Sequence, residues 1–211
     1  MDLEQYKTLI DRIVSERGVQ AIPKLLELLT DESEEVREIA LQTIQRFGDQ
    51  AKPILMSKFK QKMHEQTKND VLTLYLVDIL SDFQEKGIKN DLYKLLSRYD
   101  QESAQLVIYE ALAKLGEGEK IIDILSYFLL EDEYRNELAE QVIMALAHIH
   151  NHKAIDILVK AYYDEQLHPQ AKPFIVEAIS MITMNDQQLW EYLQQIAGEK
   201  LLKDLKEYLK S

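Results

Sequence analysis

The chain contains no cysteine, which removes disulfides, thiolate nucleophiles and cysteine-based zinc or iron–sulfur sites together. Glycine and proline are scarce, at 6 and 4 of 211 residues, so a composition rich in helix formers is interrupted at few points. No stretch approaches the ~18 uninterrupted apolar residues of a membrane-spanning helix. The opening MDLEQYKTLIDRIVSERG lacks the basic-then-apolar order of a secretory leader. GEGEK at 116–120 is too short for a phosphate-binding loop and has no Lys-Ser or Lys-Thr after its glycine. Positive charge is also short: 25 basic against 37 acidic residues give a net charge of −12, which repels a phosphate backbone. These absences point to a soluble, cytoplasmic chain with neither membrane nor nucleic acid as partner.

What the chain has is a repeat. VREIALQTIQRF at 36–47 places apolar residues at a first position and 4, 8 and 11 residues beyond it: Val36, Ala40, Ile44 and Phe47. The pattern recurs as Leu72, Leu76, Leu80, Phe83; Ala104, Ile108, Leu112, Leu115; Leu138, Val142, Leu146, Ile149; and Ala171, Ile175, Ile179, Ile182. Its last members are separated by 36, 32, 34 and 33 residues. Each set follows a shorter apolar-periodic segment, at 21–29, 52–59, 91–99, 120–130 and 154–163, so the unit is a helical hairpin. Asp31 to Ser33 and Asp100 to Ser103 supply helix starts. Gly48, Gly87 and Gly116 are placed to end second helices in the left-handed region, and Pro23 and Pro53 to open first helices.

A hairpin of this kind cannot bury its apolar face alone. The expectation is therefore an all-α, right-handed α-solenoid: one domain over 1–211, with a capping helix at 1–17, about five hairpins over 18–186 and capping helices over 187–211. The C-terminal cap draws on Leu189, Trp190, Leu193, Ile196, Leu201, Leu202, Leu205 and Tyr208.

AIPKLLELLTDESEEVREIALQTIQRFG at 21–48 resembles a HEAT repeat, close to the short HEAT-like units of the phycobilisome-lyase type. The likeness rests on Pro23 in the first helix, Asp31 in the turn, Val36–Arg37 opening the second helix, Ala40 and Gly48. At the Arg37 position the later repeats have Thr73, Gln105, Ala139 and Lys172, so an Asp–Arg ladder is not repeated. The period is nearer that of tetratricopeptide repeats, but their W-x-x-L-G-x-x-Y and A-x-x-x-F pattern is missing.

Two catalytic relatives fail on residues. The paired His-Glu motifs of deoxyhypusine hydroxylase have one counterpart, His64–Glu65, which the periodicity places between helices. The basic, aromatic face of the alkylpurine DNA glycosylases has none. His148, His150 and His152 sit where a second helix ends at Asn151, read as a left-handed terminator, and are expected to cap and solvate the turn, with an adventitious Zn²⁺ or Ni²⁺ site as the alternative; no metal, catalytic or cofactor-binding residue is assigned.

The resemblance implies that second helices line a concave side. Offsets 2, 6 and 9 from Val36 and its equivalents lie about 180–240° from the buried stripe. They include Gln45, Ser81, Ala113, Ala147, Pro173 and Ser180. The expected partner-binding residues are Glu38, Gln42, Leu74, Asp78, Leu106, Glu110, Glu140, Met144 and Glu177, giving a carboxylate from every repeat and apolar spots between. Offset 5, held by Leu41, Val77, Tyr109, Ile143 and Val176, reads as contact between repeats. The expected function is a non-catalytic scaffold without cofactor that binds a protein partner, with a basic or amphipathic peptide or helix suiting the acidic groove. The alternative is a chromophore-handling protein of the phycobilin-lyase type. Nothing in the sequence sets an oligomeric state.

Overall fold

The computed structural model describes residues 3–133 and 135–210, apart from the side chains of Leu3 and Tyr6. Apolar residues at helical spacing fold as helices throughout, and among the described residues every regular element is helical. The helices group into two compact units, residues 1–100 and 101–211. The boundary falls between the first and second helix of the third sequence repeat.

In the first unit α1 (Leu3–Arg17), α2 (Ile22–Leu28), α3 (Glu34–Phe47), α4 (Lys52–Glu65), α5 (Val71–Asp82) and α6 (Lys89–Leu95) follow in order, joined in places by single 3₁₀ turns. Pro23 and Pro53 occupy the first turns of α2 and α4, where their missing N–H groups cost nothing. Packed against both α1 and α2, α3 buries Ala40, Ile44 and Phe47 toward them.

Four details of this unit depart from expectation. α4 runs on to Glu65 rather than ending near 59, because KQKMHE is made of good helix formers joined by Gln61–Glu65 and Lys62–Glu65 contacts. His64–Glu65 therefore lies in the last turn of α4, not between helices. Gly87 is not left-handed; Gln84 takes that conformation at φ 55°, since α5 ends earlier and closes with Gln84 N–H on the Ser81 carbonyl and Glu85 N–H on that of Leu80. Asp100 caps no helix. It exchanges two hydrogen bonds with Asn69, at 2.8 and 3.0 Å, clipping the turn before α5 to the turn after α6. Finally, Arg37 donates to the carbonyls of Asp31 and Glu32 in its own turn, at 2.7 and 3.1 Å, and so holds one loop rather than bridging repeats.

The second unit comprises α7 (Glu102–Lys114), α8 (Gly118–Leu130), α9 (Arg135–Ala147), α10 (His152–Tyr163), α11 (Ala171–Thr183), α12 (Gln187–Ile196) and α13 (Glu199–Tyr208). Second helices α7, α9 and α11 lie side by side with α9 in the middle, and α13 continues that row beside α11. α10 packs on α8, α11 and α12 in the other layer. Leu112, Leu146 and Ile179 are wholly buried between the layers, and truncating a leucine so placed costs about 2–5 kcal/mol through lost burial and a cavity.

α12 and α13 close the end of the unit with Leu189, Leu193, Leu201 and Leu205, whereas Ile196 and Tyr208 are exposed. Tyrosines tie these helices down: the Tyr162 hydroxyl donates to Asp204 and that of Tyr192 to Asp156 at 2.6 Å. Burial first, then the Asp204 contact, pushes the Tyr162 hydroxyl well above its ordinary pKa, so it remains a proton donor. Between repeats, Arg135 reaches the carboxylate of Asp164 at 3.0 Å.

Candidate partner-binding faces

Second helices owe their open face to what flanks them. In the first unit Glu38 and Gln42 are exposed one turn apart on α3 and bonded to each other. Gln42 also lines a cleft of about 390 Å³ with Arg46 and with Lys7, Ile10 and Asp11 of α1, so the capping helix reaches the edge of this face. On α5, Leu74 and Asp78 are half-buried.

The second unit shows more. Because α9 has neighbours on three sides, the buried arc of each second helix is wider than one apolar stripe. Ala113, Ala147 and Ser180 are buried rather than facing outward, as is Ser81 in the first unit; residues this small let adjacent helices approach closely. Leu106 is 1% exposed and belongs to the core, a correction to its expected place on the groove. What remains open is the row six positions into each helix, Glu110, Met144 and Glu177, with Glu140 one turn before Met144. The row ten positions in, Lys114, His148 and Met181, joins it.

Glu110 is not a free carboxylate. Lys114 lies 3.0 Å from it on the same helix, and His148, just beyond the end of α9, lies 3.7 Å away. Burial by itself would raise the Glu110 pKa, but the facing His148 ring and the Lys114 charge outweigh it and hold the carboxyl below its ordinary value. A lysine at 110 would set three basic groups together, so charge reversal there would perturb folding as well as binding. Glu140 and Glu177 make no ion pair among the described residues and carry the negative charge of this face.

Methionine supplies its apolar part. Met144 is half-buried, Met181 is 38% exposed and Met184 is 74% exposed. Spacings of three and four residues put Glu140 beside Met144, and Glu177, Met181 and Met184 on one side of α11. Met181 and Met184 lay outside the sequence reading, which stopped at offset 9. Met181 belongs to the ten-position row, whose other members are charged or polar, and Met184 lies three residues beyond it.

The histidines diverge. His148 turns to Glu110, His150 is exposed, and His152 stacks on Tyr192 with ring centroids 4.2 Å apart. Asn151 is extended, not left-handed, and its side chain caps α10 by accepting from Ala154 N–H at 2.9 Å. Among the described residues no group of three or more histidine or carboxylate side chains is arranged to hold a metal ion, and no helix is long and apolar enough to cross a membrane.

Residues 21–51, covering α2, α3 and the turn that follows, match the family model for the HEAT repeat. No curated protein matches the chain.

Proposed function

From a chain that carries a HEAT repeat at residues 21–51, a unit that generally mediates protein–protein interaction, we propose a non-catalytic scaffold whose partner is a basic amphipathic helix. The observation that carries the reading is the open face of α9 and α11, where Met144, Met181 and Met184 lie among the unpaired carboxylates of Glu140 and Glu177. Unbranched, polarisable methionine side chains adapt to the apolar ridge of a docked helix. The carboxylates beside them select basic flanks and speed encounter. Glu38, Gln42, Leu74 and Asp78 offer the corresponding face on the first unit, and Glu110 supports the second by fixing His148. Rigid packed helices present this surface already formed, so little ordering entropy opposes binding.

The test is fluorescence anisotropy with a labelled synthetic helix bearing leucine at i, i+3, i+4 and i+7 and lysine elsewhere. Glu140→Lys with Glu177→Lys should weaken binding by about tenfold or more, and added salt should weaken the wild type likewise. Binding that ignores both the double substitution and salt would defeat the proposal.

A further inference from the structure

The first unit carries a second surface, of a different charge and on the opposite class of helix. α2 and α4, the first helices of consecutive repeats, leave between them an open cleft of about 480 Å³. Its floor is apolar: Pro23 and Leu26 from α2, Pro53 and Ile54 from α4, and Leu72 from the start of α5. The cleft exists because these positions are short. Two prolines open the helices and Ser57 stands where a larger side chain would fill the gap. Its size lies within the range of ordinary ligand-binding depressions, and its trough shape suits side chains presented by a docked segment.

The rim sets the charge of the occupant. In a chain of net charge −12, α4 carries Lys52, Lys58, Lys60 and Lys62. Lys52 is engaged by Asp49 at 2.7 Å, and Lys62 by Asp70 and Glu65 at 3.0 and 3.1 Å. Lys58, on the rim, donates to Gln61 at 3.3 Å and is in no ion pair within 4 Å among the described residues, its charge reaching Glu27 and Glu65 from farther off. The one acid on the rim, Glu27, is held by Lys24 at 2.6 Å. An incoming carboxylate would therefore find at Lys58 a cation in no close ion pair, a hydroxyl donor at Ser57, and an acid already paired with Lys24.

We propose that this cleft docks a short acidic segment of a partner protein, one apolar side chain seated over Pro23, Pro53 and Ile54 and a carboxylate on Lys58. It is independent of the methionine face, which asks for the opposite charge.

The experiment is selection of a displayed library of random peptides on the intact protein, with counter-selection on Ser57→Trp, which fills the trough from an exposed position. The expected survivors carry aspartate or glutamate next to leucine, isoleucine or phenylalanine. Synthesised, they should bind the wild type, lose about tenfold or more with Lys58→Glu, and bind the Glu140→Lys, Glu177→Lys protein unchanged, which separates this site from the one above. Survivors that are basic, survivors indifferent to Lys58→Glu, or no survivors at all would overturn the proposal. Melting curves of both cleft variants matching the wild type establish that the loss is not unfolding.

Discussion

At the scale of the residue, the sharpest contrast is between two glycines. Gly116 sits at φ +84° with open space where a β-carbon would stand, so Gly116→Ala meets backbone strain and nothing else. It should cost about 1 kcal/mol. Gly87 does not have a positive φ, and an added β-carbon would meet only the Glu85 carboxylate, at 2.9 Å, the far end of a flexible side chain that accepts from Gly87 N–H at 3.0 Å. Gly87→Ala should cost clearly less, and urea denaturation of the two variants side by side measures the difference. Both glycines follow a second helix in sequence and looked equivalent. They differ because α5 stops at Asp82 and spends a glutamine on the left-handed position, a choice that composition cannot announce.

The same limit applies to charged side chains. That Glu110 lies on the outward side of its helix and four residues before Lys114 was legible from spacing, but its meeting with His148 depends on where α9 lies against α7. Leu106 misled for a related reason: the helical wheel gives a direction, and a neighbour decides whether that direction is water.

At the scale of the element, helix positions were readable almost everywhere, because one apolar residue every three or four positions has a single economical solution. Ends were harder, as the extra turns of α4 show. The join between α4 and α5 is bonded through one residue, Asp70. Asp70 caps α5 through Leu72 N–H at 3.1 Å, accepts from the Thr73 hydroxyl at 3.0 Å and pairs with Lys62. Burial acts to raise its pKa, yet Lys62 and Thr73 prevail and leave it below the ordinary value of 3.8.

A carboxyl with a depressed folded pKa stabilises fully above its unfolded value, and that stability is lost as pH falls through the folded one. Asp70→Asn keeps the cap but gives up the charge, so it should cost about 1–2 kcal/mol near neutrality. The cost should shrink below pH 3.8, as the wild-type carboxyl becomes protonated. Denaturant midpoints at pH 7 and pH 3 check the sign. A cost as large at pH 3 as at pH 7 would mean that the charge of Asp70 is not what holds the join.

At the scale of the whole molecule, the repeat of helical hairpins was legible because its 32–36-residue period survives although the family's own motif is clear once, at 21–51. The outward faces were legible only in part. Glu140, Met144 and Glu177 lie where spacing put them, while the methionines beyond them on α11 and the cleft between α2 and α4 depend on which helices are neighbours. No sequence window contains that information. The molecule presents two surfaces of unlike chemistry, methionine with carboxylates on second helices and an apolar trough edged by Lys58 on first helices.

The central claim, that the methionine face of α9 and α11 is where a basic amphipathic helix docks, is tested most directly by labelling the methionine methyl groups with carbon-13 and titrating in the synthetic helix. The chain has 6 methionines, and each can be assigned by substitution. The expected result is that Met144, Met181 and Met184 shift together while Met56 and Met63, on α4, stay in place. Shifts confined to Met56 and Met63, or none at saturating peptide, would contradict it.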